Sequence, residues 1–197
     1  MATPPDFTTG QVLTAAQMSA VGLWRITPTV SGTGVTVASD GSVTLTAAPD
    51  PFITAFSADF RNYRIFTTIT AFGGGSAAVV MRVASGTTPN TTAANYKNVG
   101  GETAYGGASV SVVTNNGASA FWNVGRVDGS LQFGSIITDV MNPFASTYSS
   151  FNSTFRDGGF SGYQDGLVTV TTSYNGFNIR TNGTNTLTGT IDVFGFN

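Results

Sequence analysis

The chain has 197 residues with 8 Lys and Arg, 10 Asp and Glu, no His and no Cys, and a formal charge of -2. That length suits one domain, and the missing residue types exclude disulfides, thiolate zinc sites, cysteine nucleophiles and imidazole bases or ligands. Charged residues make up 9% and hydrophobic ones 41%, so material for a core is present, and a polar remainder of Thr, Ser, Gly and Asn favours strands and turns over helices.

Pro4 and Pro5 hold the N-terminal segment extended, and Thr14 with Gln17 fits a capping box ahead of Ala15, Ala16, Met18 and Ala20. A short helix is predicted over about Thr14 to Val21. So short a helix does not stand alone in water and must dock on its own domain or on a neighbouring chain. Residues 1–23 are therefore expected to be an anchoring arm, with Phe7, Val12, Leu13 and Met18 as its apolar contacts, and residues 24–197 the folded domain.

From Trp24 onward β-branched or apolar residues alternate with small polar ones, as in Val35 and Val37, Val43 and Leu45, or Val168 and Val170. In chain order the expected strands are Arg25 to Val30, Val35 to Ser39, Val43 to Ala47, Tyr63 to Phe72, Ala77 to Ala84 and Val110 to Thr114. They continue with Ala120 to Val127, Leu131 to Ile137, Tyr148 to Thr154, Leu167 to Tyr174, Phe177 to Arg180 and Leu187 to Phe196. Asp-Gly and Asn-Gly pairs, which supply the positive φ angles of two-residue hairpins, fall between runs in VTVAS-DG-SVTLT, WNVGRV-DG-SLQFG and TTSY-NG-FNIR. About a dozen strands with regular turns indicate an all-β, antiparallel sandwich or barrel. The stretch Ser85 to Ala108 is expected to be a surface loop. In the last strand Leu187, Ile191 and Val193 fall on one face and Phe194 and Phe196 on the other, so one face needs a second partner, either a crossing loop of the same chain or another subunit; in the second case Ile191, Val193, Phe194 and Phe196 are the candidate oligomer interface.

One lysine, Lys97, and seven scattered arginines give no basic stripe, which argues against nucleic acid as a partner. The N-terminus has no basic region before an apolar run, and nowhere do about 18 apolar residues follow one another, so neither a signal peptide nor a membrane span is expected. No cofactor, metal or catalytic residue is indicated. A carboxylate pair for glycoside hydrolysis has to be drawn from Glu102, Asp139, Asp157, Asp165 and Asp192, and Asp165, like Asp40 and Asp128, also reads as a turn residue. Arg64 and Arg82 interrupt apolar strands, where each needs a carboxylate or loop carbonyls as partner. Two stretches read as loops, around Tyr96 and Tyr105 and around Phe160 and Tyr163, mix aromatic rings with amide and charged groups; these four are candidate contacts for a glycan or a partner protein.

Several segments resemble tailed-bacteriophage virion proteins of the tail, fibre and head-decoration type. They are PPDFTTGQVLTAAQMSAVGLW at the start, FSADFRNYRIF and DVMNPF with STYSSF in the middle, and TTSYNGFNIRTNGTNTLTGTIDVFGFN at the end. The resemblance implies a jelly-roll-like sandwich, a homotrimer and a place in the virion after assembly in a bacterial cytoplasm, with other virion proteins as partners and no catalytic residue. The expected role is a tail appendage, fibre or tail tip, that meets the host surface and its glycans. A capsid decoration or head-fibre protein is the alternative, and a polysaccharide-cleaving enzyme the rival of another class.

Overall fold

The structure, a computed structural model, describes residues 22–107, 109–129 and 133–197. The expected helix and the anchor residues Phe7, Val12, Leu13 and Met18 lie outside the described residues. Strands β1 (Trp24–Ile26), β2 (Thr29–Ser31), β3 (Val35–Val37), β4 (Val43–Ala48), β5 (Phe52–Thr54), β6 (Asn62–Phe72), β7 (Ala77–Ser85) and β8 (Thr88–Pro89) form the first half. After a 3-10 turn at Ala93–Asn95 come β9 (Tyr96–Ala104), β10 (Ser111–Asn116), β11 (Trp122–Val127) and β12 (Gly134–Met141). The chain closes with β13 (Ser149–Asp157), β14 (Phe160–Val168), β15 (Gly176–Thr181) and β16 (Leu187–Phe196).

These strands make two antiparallel sheets. The larger has ten strands, β10-β9-β14-β13-β12-β6-β16-β4-β3 with β1 also on β16; the smaller has six, β11-β7-β15-β5-β2 with β8 beside β7. Neighbours β4, β16 and β6 of the larger sheet continue into β5, β15 and β7 of the smaller one, in the same lateral order. Three adjacent crossings wound this way make the sandwich jelly-roll-like.

Period-two patterning places the core. β13 alternates buried and exposed residues along its whole length, and β16 turns Leu187, Ile191 and Val193 inward. Between the sheets Trp122 is fully buried, its ring 4.7 Å from Phe151 and 5.9 Å, edge-on, from Tyr96. Further along, Phe56 packs on Tyr63 and Phe177. Several polar groups in the core are paired: Ser153 Oγ donates to Val124 O at 2.6 Å, and Asn98 Nδ2 to Gln164 Oε1 at 3.2 Å.

The Asp40-Gly41 turn joins β3 to β4 as expected, with Gly41 at φ +88°; the Ser42 hydroxyl, then its amide, hold the Asp40 carboxyl below its usual range. The other two expected hairpins differ. Asp128 and Phe133 form an antiparallel bridge across the second turn, but β11 and β12 on either side of it lie in different sheets. β14 ends at Val168, and β15 pairs with β5 and β7 instead. The run Arg25 to Val30 divides into β1 and β2, one in each sheet, because Pro28 between them has no N–H to continue a ladder. Most consequentially, the expected loop Ser85 to Ala108 contains β9, and the second aromatic stretch is β14, paired with β9 along its length. Asp165 and Gly166 are therefore mid-strand residues, not a turn.

Burial raises the phenol pKa of both Tyr96 and Tyr63 above the ordinary tyrosine value. A raised folded-state value means that stability is intact below the unfolded value of about 10 and declines above it. In an alkaline titration the absorbance change from these two phenols is expected to coincide with loss of the near-UV circular dichroism of the fold. Their ionisation well before unfolding would contradict this packing.

Candidate functional site

The inner face of the larger sheet meets the smaller sheet, and among the described residues no further layer covers its outer face. Register aligns the outward side chains in rows that cross the strands. One row runs Thr114, Val99, Asp165, Asn152 and Asp139 over β10, β9, β14, β13 and β12, and continues through Arg64 and Phe194 to Arg25. The next carries Val112, Gly101, Tyr163, Thr154, Ile137 and Phe66. Val99, Val112 and Tyr163 are more than half exposed.

The charged and aromatic side chains on the half of this face built on β6, β16 and β1 engage one another. Arg64 donates to both oxygens of Asp139 at 2.7 and 2.6 Å, and Arg25 pairs with Asp192. Phe194 meets Phe66 edge-on at 5.6 Å, with the Arg25 guanidinium 5.8 Å above its ring. Arg82, on the smaller sheet, donates to Ala120 O at 2.8 Å, so both strand arginines have the partners their burial demands.

The half built on β9, β14 and β13 holds two adjoining depressions. One of about 660 Å³ lies around Lys97, Asn116, Asn152, Asp165 and Leu167; the other, about 540 Å³, lies around Ile137, Thr154, Arg156, Ser161 and Tyr163. Asn152 Nδ2 donates to Asp165 Oδ1 across the first. The Tyr163 ring lies over Gly101: a Cβ at that glycine would stand 3.4 Å from Cε1 and 3.7 Å from Cζ. One side of the ring is thus packed on the sheet, and half of the residue stays open to solvent.

The four expected contact residues separate. Tyr163 stands on this outer face. Tyr105 is 57% exposed just past the end of β9, its amide donating to Gly159 O at 2.9 Å. Phe160 lies beneath the Arg126 guanidinium, 3.8 Å from its ring centroid. Tyr96 is wholly buried and donates to Asn90 O, so it is a core residue and no ligand contact. Ile191 and Val193 are likewise fully buried core residues, not interface; only Phe194 and Phe196 of that candidate set face outward and are partly open. The sequence already groups Arg156 and Asp165 with Tyr163 in one aromatic stretch, but not Asn152 on β13, which comes beside Asp165 only through strand register and becomes visible once glycines 162 and 166 are allowed as strand positions.

Each carboxylate considered for hydrolysis is engaged. Arg126 Nη1 is 3.1 Å from Glu102, and its Nε is 3.6 Å from the buried Asp157, which also accepts the Gly159 and Phe160 amides. Asp139 and Asp192 hold arginines, and Asp165 holds Asn152. Among the described residues no cluster of three acidic side chains is placed to hold a metal ion, and no helix is long and apolar enough to cross a membrane.

No family model matches the chain, and no curated protein does. Solved structures with some similarity include the Lotus tetragonolobus seed lectin (isoform), 8% identical over 87% of this chain and 97% of that one, with a TM-score of 0.36. A lectin from Bauhinia forficata in complex with GalNAc is 10% identical over 89% and 99%, at 0.22, and the Ca2+-bound exoplasmic/lumenal domain of VIP36 is 11% identical over 87% and 84%, at 0.27. Likeness at this level carries nothing about function; the fold rests on the sheet order and register above.

Proposed function

We propose that the chain is a structural protein of a tailed-bacteriophage virion, a non-enzymatic appendage of the tail that presents the outer face of its larger sheet. The observation that supports this best is where the virion-like segments lie. Far apart in sequence, they adjoin at one corner: Trp24 pairs with Gly195, and Gly195 with Tyr63. Asn62 pairs with Met141 and Phe196. Arg61 donates to the side chains of Asn142 and Asn197. Asn142, in the Asn-Pro-Phe corner, takes φ +53°, and its amide donates back to Arg61 O. Trp24, the first strand residue after the proposed attachment arm, stands in this corner.

In this reading the partners are other virion proteins and two further copies of the chain, with Phe194 and Phe196 at the contact between copies. The five candidate carboxylates, each engaged by other groups of the fold, serve no hydrolysis in this reading, and incubation with host polysaccharide is expected to release no reducing ends.

The test is incorporation. A chain of residues 24–197 is expected to melt cooperatively, because the sixteen strands and their core lie within it, and to be missing from particles that take up the full chain. Equal incorporation of both would overturn the role of the arm. Failure of the full chain to sediment with particles would overturn the virion reading.

A further inference from the structure

The chain contains eight lysines and arginines. Arg25, Arg64, Arg126 and Arg180 face carboxylates, while Arg61 and Arg82 hold an amide oxygen and a carbonyl. Among the described residues the side chains of the other two, Lys97 and Arg156, make no hydrogen bond or ion pair. Both stand on the outer face of the larger sheet, one in each depression beside the Tyr163 platform. Lys97 pairs with Leu167 and Arg156 with Ser161, so the two cations are separated by roughly 20 Å along β14, at about 3.3 Å per residue. Tyr163 and the Asn152–Asp165 couple fall between them.

We infer that this face binds a linear acidic polysaccharide along β14, with one sugar ring on Tyr163, hydroxyls on Asp165 and Asn152, and carboxylates at Lys97 and Arg156. Each part has its physical reason. A tyrosine ring supported from behind offers a flat apolar surface with little side-chain entropy left to lose. A carboxylate accepts hydroxyl protons, and an amide both donates and accepts. A guanidinium without a partner binds a carboxylate by charge-assisted hydrogen bonds, two at once when geometry permits. The chain as a whole is acidic, so attraction for a polyanion has to be local to these two cations. The inference rests on the outer face being the contact surface of the appendage, and it deepens that reading by naming the ligand class.

The test is affinity electrophoresis of the full chain through gels holding polygalacturonate, alginate, hyaluronate or neutral dextran. Retardation by at least one acidic polymer and none by dextran is expected, fading in about 1 M salt where screening acts within about 3 Å. Tyr163→Ala is expected to weaken retention at least about fivefold, the cost of losing an aromatic anchor, and Lys97→Gln with Arg156→Gln to abolish the preference for acidic over neutral polymer. Arg180→Gln, which removes a cation from the smaller sheet, is expected to leave retention unchanged. Melting temperature is measured for every variant to show that the fold is intact.

Retardation by no acidic polymer, equal retardation by dextran, or an Arg180→Gln effect as large as that of Arg156→Gln would each overturn the inference. None of these results bears on incorporation into particles, so the saccharide inference and the virion reading fail separately.

Discussion

Replacing Arg126 by Met is expected to destabilise the fold by about 3 kcal/mol, a cost in the range for stranding one member of a buried ion pair. The lower end applies because the Arg126 side chain is 26% exposed and Glu102 18%, whereas Asp157 is fully enclosed at 0%. Without the guanidinium, two carboxylates face each other at the end of the sandwich and Phe160 loses its cation cover. Adding Glu102→Gln and Asp157→Asn to the Met variant is expected to restore most of the loss, since the asparagine keeps an acceptor for the Gly159 and Phe160 amides while both charges disappear. Urea unfolding measures all three proteins. An Arg126→Met protein within about 0.5 kcal/mol of the parent, the range of an ordinary surface substitution, would show that the cluster is solvated and not structural.

Trp122→Ala is expected to cost about 3–5 kcal/mol, the usual loss for deleting a buried large aromatic, and to lower the melting temperature by roughly 10 °C in a domain of this size. Trp122 lies on β11 of the smaller sheet while its ring neighbours Tyr96 and Phe151 lie on β9 and β13 of the larger one, so its removal opens a cavity between the layers. Trp122→Phe is expected to cost less, since part of the ring contact survives and the buried indole N–H, which has no acceptor in the structure, is removed. A phenylalanine variant as unstable as the alanine one would contradict this account of the site.

The antiparallel sandwich was legible in the sequence because alternation is strong where strands carry Val, Ile and Leu, as in β4 and β16. The site was not, and the reason is local. β9 and β14 read as loops because glycines 100, 101, 162 and 166 interrupt their patterns. The structure shows that those glycines are covered or closely approached across the ladder, Gly162 and Gly166 by Phe155 and Phe151, Gly101 by Tyr163 and Gly100 by Gln164. Loops of mixed aromatic and charged residues become, once paired, a regular face whose alternate residues point outward. The same pairing buries Tyr96, which the sequence placed beside Tyr105. At Asp128-Gly129 the turn signal holds as far as one antiparallel bridge between Asp128 and Phe133, but there and at Asn175-Gly176 the flanking strands belong to different sheets, because a turn dipeptide bends the chain equally well into the other sheet.

The two-faced pattern of β16 was readable, but its partner on the outer face was not. Nothing near Phe194 in sequence announces Phe66 or Arg25, which come to it only through strand register. The second apolar face of the strand left open whether its cover comes from the same chain or from another subunit, and part of it comes from the same chain, through neighbouring strands and not a crossing loop.

The most direct test of the virion assignment is immunogold electron microscopy of particles purified from the source culture, with antibody raised against residues 24–197. The account predicts label on the particles at the tail, in single or low double figures of copies. Label over the capsid in hundreds of copies would move the protein to the head, and an unlabelled particle fraction with the antigen wholly in the soluble fraction would contradict a place in the virion.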